Sequence, residues 1–199
     1  MQHFSSVLAV KTQVDCVETR SCELSDGGTD GGPDVVAPPG CDLTKSPKDS
    51  TACLDDTVGV FVAPTGDDGA TGKKGAPLRS VAKGVETAAA RGLPRVYVCE
   101  GTYDANVEIK TSVAIFGGLT CAWAPSDVAR PKLAPPKGIA LRVSKVSGAV
   151  LVEDLEIVGS ADANAPGDSA IAAFVSGSQD VKFRPVVFQT GSCGNHQWF

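Results

Sequence analysis

Four acidic residues in the last quarter of the chain carry the side chains that glycoside hydrolysis requires: Asp154, Glu156, Asp162 and Asp168. Glycosidases use two carboxyl groups, one as an acid and the other as a base or nucleophile. Asp154 and Glu156, however, are interpreted as outward-facing strand residues, and the other two fall in the loop from Ser160 to Ser169. We therefore expect solvated surface charges, and we predict no catalytic residue.

Nucleophilic catalysis by a cysteine needs a neighbouring general base, which is most often a histidine. The chain has two histidines, His3 and His196, and each lies within four residues of one end. A cysteine nucleophile is therefore not expected. Cys193 is interpreted as an unpaired or intermolecular thiol.

Asp67 and Asp68 lie in the turn-forming loop from Thr65 to Gly75, and their oxygens are of the kind that cations prefer. Solvated loop charges are the favoured interpretation of such a Gly- and Asp-rich turn. Zinc sites usually take ligands from closely spaced pairs, which Cys41 and Cys53 do not form. We predict no metal site and no cofactor.

Seven cysteines are many for a cytosolic protein, and they favour an oxidising compartment over the alternative of reduced thiols in the cytosol. Pairing across the polar loop Cys41 to Leu54 would stabilise the fold by about 3 kcal/mol on the chain-entropy model. The candidate pairs are Cys16–Cys22, Cys41–Cys53 and Cys99–Cys121. We expect an extracellular or cell-envelope protein, although the start of the chain shows no signal-peptide pattern.

The composition excludes several partners and favours β-structure. A net charge of -5 provides no basic face, so neither a nucleic acid nor an anionic membrane is expected as a partner. No apolar run approaches the ~20 residues of a membrane-spanning helix. The 22 glycines, 13 prolines and few aromatics predict many short strands and turns.

The stretch from Val96 to Leu119 organises the rest of the chain. Two β-branched runs within it, Val96 to Cys99 and Val113 to Phe116, alternate with period two, which predicts strands with one buried side. Ser80 to Arg91 predicts a helix, because Ser80 can cap its start and Gly92 follows its end. A glycine at position 84 suggests that this helix packs closely on a neighbouring sheet.

Several short motifs occur in a familiar order: Val60-Phe61-Val62, Thr65-Gly66-Asp67, Ala76-Pro77-Leu78, Ser80-Val81, Val96-Tyr97-Val98, Gly101-Thr102-Tyr103 and Phe116-Gly117-Gly118. In this order they resemble the opening of the pectin-lyase-like superfamily, over about Val58 to the end. With Trp123 and Pro131 the chain is similar to bacterial envelope-type repeat proteins of unknown function. The resemblance implies a mainly β fold, a right-handed parallel β-helix with an N-terminal capping helix. It carries over no catalytic residue.

Internal repetition supports that interpretation, because a β-helix stacks similar coils. Val150, Val152, Leu155 and Ile157 align with residues 31 positions later, and Leu141 to Ser144 align with Ala173 to Ser176 at a spacing of 32. This alignment places Glu153 over Arg184, as a weak ion pair on an exposed face. Asp154 and Glu156 align with uncharged residues.

We predict four parts in the chain. Residues 1–40 form a disordered Cys-, Gly-, Asp- and Pro-rich tail and linker, residues 41–57 a disulfide-closed loop, residues 58–189 the β-helix, and residues 190–199 an irregular tail. A β-helix needs its last rung covered, and the final residues have no pattern that would cover it. We therefore expect the β-helix to be incomplete at its C-terminal end.

Two hypotheses of function follow from these observations. The first is a non-catalytic secreted or cell-surface protein that contacts a glycan or mediates adhesion, with a polysaccharide or another cell-surface component as its partner. The second is a truncated polysaccharide lyase or glycoside hydrolase. A solvent-facing stack of Asp, or of Lys and Arg, on three successive rungs would favour the second hypothesis.

Overall fold

A computed structural model describes residues 35–161 and 169–190 of the chain. These residues belong to one compact unit, Pro33–Phe199. The predicted Cys16–Cys22 pair, the tail up to residue 34 and residues 191–199 lie outside the described residues. Within the described part the protein is mainly β, with twelve strands, one α-helix and a short 3-10 helix at Thr51–Cys53.

The strands form three sheets in which every pairing between strands is parallel. The five-stranded sheet contains β1 (Gly59–Val62), β2 (Arg95–Cys99), β5 (Val113–Leu119), β8 (Val150–Glu153) and β11 (Val181–Arg184). The four-stranded sheet contains β3 (Gly101–Tyr103), β6 (Pro131–Leu133), β9 (Glu156–Gly159) and β12 (Val187–Thr190). The three-stranded sheet contains β4 (Val107–Ile109), β7 (Leu141–Ser144) and β10 (Ala173–Ser176).

Consecutive strands visit the three sheets in turn. The strands β2, β3 and β4 make one round, and β5 to β7, β8 to β10 and then β11 and β12 follow it. In each sheet a strand pairs with its counterpart from the round before, with Val181 opposite Val150, Phe188 opposite Ile157 and Ala173 opposite Leu141. The paired residues are 31 or 32 positions apart, which are the spacings found in the internal alignment of the sequence.

The core lies between the sheets and is built from columns of stacked side chains. In one column Val96 lies beside Ile115, Ile115 beside Val152, and Val152 beside Phe183. The first three are completely buried. Full burial of a side chain of this size contributes about 1.5–3 kcal/mol, so each column adds a stabilising term with every round.

One helix, α1 (Val81–Arg91), covers the end of the core at which the rounds begin. The Ser80 hydroxyl accepts a hydrogen bond from the backbone N–H of Lys83 at its start, and Gly92 ends it in a left-handed conformation. Val81, Val85 and Ala88 form its buried face. The cap at Ser80 and the end at Gly92 are those that the sequence predicted.

Gly84 brings this helix into close contact with the five-stranded sheet. A Cβ atom at that position would lie 2.5 Å from Cγ2 of Val62 and 3.2 Å from Cγ1 of Val96. Any side chain larger than hydrogen therefore pushes the helix away from the sheet.

We predict that Gly84→Val lowers the free energy of unfolding by about 1–3 kcal/mol, because overpacking displaces the helix from its sheet. Ala89→Val, at an exposed position of the same helix, is the matched control and costs less than about 0.7 kcal/mol in helix propensity. Urea denaturation of both variants measures the difference. Equal stability of the two variants would contradict the packing argument.

Candidate functional site

Two disulfide bonds lie in the described part of the chain. Cys41 is joined to Cys53 with an Sγ–Sγ distance of 2.05 Å, and Cys99 is joined to Cys121 at 2.10 Å. The first closes the loop that precedes β1. The second connects the end of β2 to the segment after β5, and thus joins two consecutive rounds.

The loop of residues 41–57 lies on the outer face of the five-stranded sheet. Its Leu54 packs with Phe61, Tyr97, Phe116 and Leu119 in a second apolar cluster, separate from the core between the sheets. The strands here are therefore buried on both faces, and the expectation of one buried side is wrong for β2 and most of β5. The outward positions are aromatic because they form the floor under this loop.

Arg95 is the polar attachment of that loop to the sheet. Its Nη2 atom donates to the carbonyl oxygens of Leu43 and Lys45, both at 2.8 Å, and its guanidinium lies 4.9 Å from the ring centroid of Phe116. The hydroxyl of Tyr97 donates to the carbonyl of Cys53 beside it. Burial raises the pKa of Tyr97 to about 12, so this phenol stays a donor at neutral pH.

Glu153 and Asp154, which the sequence predicted to be exposed charges, are both buried. Glu153 is opposite Arg184 in register, as the alignment placed it, but only 8% of Glu153 is exposed. The predicted exposed position is wrong because the loop of residues 41–57 reaches this carboxylate, where Ser46 hydrogen-bonds it. Burial, followed by the charge of Asp154, raises the pKa of Glu153, while Arg184 and Ser46 oppose that shift.

Asp154 is buried too, and it is not part of a strand. It lies between β8 and β9 with a φ of 57°, a left-handed conformation that Asp tolerates better than most residues. Its Oδ2 atom lies 2.8 Å from Nζ of Lys48, which also pairs with Asp127 at 3.1 Å. Desolvation opposes the charge on Lys48, but its bonds to Asp154 and Asp127 raise the pKa of the amine overall.

Glu156 is half-buried in β9 and has a partner in the preceding round. Its Oε1 atom lies 2.8 Å from Nζ of Lys132, which is its register partner in β6. Glu156 and Asp154 are thus each paired with a lysine, and they do not form an acid–base pair. Asp162 and Asp168 lie outside the described residues.

Outward columns on the other two sheets mix residue types from one round to the next. Glu108, Arg142 and Phe174 follow one another on the three-stranded sheet, with the Arg142 guanidinium 5.1 Å from the Phe174 ring centroid. On the four-stranded sheet Lys132 precedes Glu156. Along these described strands, like charges do not stack over three rounds.

A cleft of about 620 Å³ lies between the loop before α1 and the turn after β3. Its lining residues are Pro64, Asp68, Arg79, Ser80, Thr102, Tyr103, Asp104 and Ala105. A volume of this size falls within the range of small-molecule sites. We call this feature the Asp68–Asp104 cleft.

Backbone hydrogen bonds fix the first wall of the cleft. Oδ1 of Asp68 accepts from the backbone N–H groups of Arg79 at 2.9 Å and Ser80 at 2.8 Å, and Nε of Arg79 donates to the carbonyl of Gly66 at 3.0 Å. Desolvation would raise the pKa of Asp68, but the hydrogen bonds from Ser80 and Arg79 lower it overall. Asp68 is exposed, as the sequence suggested, and its two backbone hydrogen bonds hold it in place as an ionised carboxylate.

The second wall is the turn that follows β3. Tyr103 is buried at its base and donates from its hydroxyl to the carbonyl of Cys99 at 2.9 Å, while burial raises its pKa. Asp104 next to it is exposed. The two walls approach each other at Gly101, whose φ is 134° and where a Cβ atom would lie 2.4 Å from Cγ of Pro64.

The cleft therefore presents two carboxylates, one guanidinium and two hydroxyl groups, those of Ser80 and Thr102, above an apolar base. Such a set donates and accepts hydrogen bonds in several directions. Within residues 35–161 and 169–190, no three His, Cys, Asp or Glu side chains come close enough together to hold a metal ion. None of the helical residues in these ranges makes a segment long and apolar enough to cross a membrane.

Sequence reasoning did not find Arg79 or Asp104. It considered Asp68 as a possible cation ligand but had no signal for the other wall, which arrives through the Gly101 turn. The Gly-Thr-Tyr motif at positions 101–103 was the available signal, because a glycine before a buried tyrosine indicates a close backbone approach.

By its fold the chain is a mainly β protein of parallel strands with one helix. The model of a family described as "Protein of unknown function (DUF1565)", which is associated with β-helix proteins, matches residues 64–118. All the residues that line the Asp68–Asp104 cleft lie within the matched segment. No curated protein and no solved structure matches the chain.

Glu153 provides a prediction about pH. Its pKa is raised in the folded protein, so ionisation costs stability: the cost is absent below the unfolded pKa and complete above the folded pKa. We expect Glu153→Gln to raise the free energy of unfolding at pH 7 and to lose this advantage as the pH falls below 4.5, the ordinary pKa of a glutamate side chain. Urea titrations at several pH values measure the difference. A variant that is less stable than wild type at pH 7 would show that Glu153 is net stabilising.

The disulfides provide a second prediction. Peptide mapping of the oxidised protein should recover Cys41 linked to Cys53 and Cys99 linked to Cys121, and a free thiol at Cys99 would contradict the second bond.

Replacing Cys41 and Cys53 together by Ser should lower the free energy of unfolding by about 3 kcal/mol on the chain-entropy model. Cys193→Ser, at the cysteine that the predicted pairs leave over, is the control and should leave stability unchanged.

Proposed function

We propose that the protein is a right-handed parallel β-helix of the pectin-lyase-like type, secreted or displayed at the cell surface, which binds a glycan in the Asp68–Asp104 cleft without chemically changing it. The order of the rounds supports the β-helix. Parallel strands joined by crossover connections are right-handed in about 98% of cases, which supports the handedness.

Export is supported by the two disulfide bonds. Disulfides form and persist in oxidising compartments and are rare in cytosolic proteins, where thiols are kept reduced. Cys53 and Cys99 are completely buried, so each bond lies against packed side chains. We propose the extracellular space or the cell envelope as the location.

The observation that carries the glycan proposal is the convergence of Asp68, Arg79 and Asp104 on one cleft. A sugar presents hydroxyl groups that both donate and accept hydrogen bonds, and carboxylate and guanidinium groups satisfy both kinds. Asp68 and Arg79 are held by backbone groups before any ligand arrives, so little side-chain entropy is lost on binding. The lining contains no large aromatic face besides Tyr103, so we infer that hydrogen bonds dominate recognition.

A hydrolase or lyase is the second candidate, because two carboxylates line the same cleft. A hydrolase needs one carboxyl group that is protonated when the reaction begins. Asp68 is unsuited to that role, since its hydrogen bonds lower its pKa, and the role would fall to the exposed Asp104. Enzymatic turnover on a polysaccharide would favour this candidate.

We predict that Asp104→Ala weakens glycan binding at least tenfold, because it removes a hydrogen bond to a charged group worth about 1.5–3 kcal/mol. Binding is measured on a panel of immobilised neutral and acidic polysaccharides. Reducing ends and the absorbance of unsaturated products are followed in parallel.

The matched control is Glu86→Ala, which removes an exposed carboxylate of α1 that does not line the cleft. It should bind the selected polysaccharide as wild type does. Failure of the wild-type protein to bind any polysaccharide, or wild-type affinity in Asp104→Ala, would end the glycan proposal. If the wild-type protein forms product and Asp104→Ala does not, the hydrolase or lyase candidate would replace the binding proposal.

A further inference from the structure

Negative charge exceeds positive charge in the Asp68–Asp104 cleft. Two carboxylates, those of Asp68 and Asp104, line it together with a single guanidinium, that of Arg79. Two more exposed carboxylates lie close by along the chain, because Asp67 precedes Asp68 and Glu100 lies four residues before Asp104. A field of this sign attracts cations and repels anions over about one Debye length, ~8 Å at physiological ionic strength.

The guanidinium of Arg79 does not offer an uncompensated positive charge to an anion. Its Nε atom donates to the carbonyl of Gly66 at 3.0 Å. Desolvation opposes the charge on Asp68, but the hydrogen bonds from Ser80 and Arg79, together with the positive charge of Arg79, lower the pKa of Asp68 overall. Arg79 therefore already compensates an ionised carboxylate, and an anionic sugar that approached it would also approach Asp68.

The carboxylate of Asp104 differs from other carboxylates on the outer surface of the sheets. Glu108 pairs with Lys110 at 2.9 Å, and Glu156 pairs with Lys132 at 2.8 Å. Asp104 is exposed, and in the part of the chain that the structure describes it makes no hydrogen bond or ion pair. A ligand with a positive charge would supply the missing partner.

We infer that the preferred ligand of the cleft is a glycan with free amino groups, and that one of its ammonium groups pairs with Asp104. This inference rests on the glycan binding proposed above and adds the charge of the ligand to it. An ammonium group donates three hydrogen bonds and accepts none, which suits a site rich in carboxylates. The sugar hydroxyls next to the amine can bond to the hydroxyls of Ser80 and Thr102, which line the same cleft.

The charges of the cleft also set an order of affinity among glycans of one length. An N-acetylated sugar keeps the hydroxyl groups of the amino sugar but loses the charge-assisted hydrogen bond to Asp104, which corresponds to about tenfold in affinity. A uronic acid brings a carboxylate next to Asp68 and Asp104, and like charges at short distance repel. Amino sugars therefore bind most tightly, N-acetylated sugars less tightly and uronic acids most weakly.

Isothermal titration calorimetry of the full chain tests this order at about pH 6, where carboxylates are ionised and primary amines are protonated. The ligands are three hexamers: β-1,4-linked glucosamine, its fully N-acetylated form and α-1,4-linked galacturonic acid. We expect the glucosamine hexamer to bind about tenfold more tightly than its N-acetylated form, and the galacturonic acid hexamer to bind most weakly.

Two variants with the same net charge separate the cleft from the overall charge of the protein. Asp104→Asn removes the negative charge from the cleft and should reduce the preference for glucosamine to less than about threefold. Glu86→Gln removes one negative charge from α1, outside the cleft lining, and should keep the full preference. Asp104→Lys should reverse the order, so that the galacturonic acid hexamer binds more tightly than the glucosamine hexamer.

The outcomes distinguish this inference from the proposal on which it rests. Equal binding of the glucosamine and N-acetylated hexamers, or a preference that Asp104→Asn retains, would overturn the inference and leave glycan binding in the cleft standing. Tightest binding of galacturonic acid to the wild-type protein would do the same. Failure of all three hexamers to bind would count against the glycan proposal itself.

Discussion

The structure depends on in-register parallel pairing of each strand with its counterpart from the previous round. Pairing in register is what stacks Val96, Ile115, Val152 and Phe183 into one buried column. A slip of one residue would turn every inward side chain outward, so the apolar pattern of each round enforces the register of the next. The three sheets of paired strands form the frame of the protein, to which the helix, the loop of residues 41–57 and the cleft are attached.

The outer layer of the protein is the loop of residues 41–57, which covers the outer face of the five-stranded sheet. This loop has little secondary structure of its own. Such a loop leaves carbonyl groups without partners, and Arg95 supplies donors to two of them. Lys48, also in this loop, forms an ion pair with the buried carboxylate of Asp154 and so compensates its charge. Desolvation of these charged groups opposes folding unless they are paired. Their pairing therefore requires the loop to lie in one position on the sheet.

The frame could be predicted from the sequence because it rests on local and periodic patterns. The period-two runs, the cap at Ser80, the glycine at position 84 and the 31-residue alignment each appear as a regularity along the chain. The outer layer could not be predicted, because Arg95, Lys48 and Glu153 interact across distances in sequence that no periodicity records. Burial of Glu153 and Asp154 depends on where the loop of residues 41–57 folds back, which is a tertiary choice.

For the cleft, the sequence supplied one wall and missed the other. Asp68 stood out because acidic residues in a Gly-rich turn are noticeable, whereas Asp104 had nothing to mark it until Gly101 and Pro64 brought its turn alongside. A glycine with positive φ in a turn indicates that two segments of the chain approach each other closely. It does not indicate which side chains come together there.

Both walls of the cleft come from the short stretch between Pro64 and Ala105, which is complete before the second round begins. The lining of the cleft and the number of rounds are thus set by separate parts of the chain. Insertion or loss of whole rounds after β5 would change the length of the stack of rounds while leaving the lining of the cleft intact. If the cleft binds a glycan as proposed, longer and shorter versions of the protein could evolve with the same binding residues.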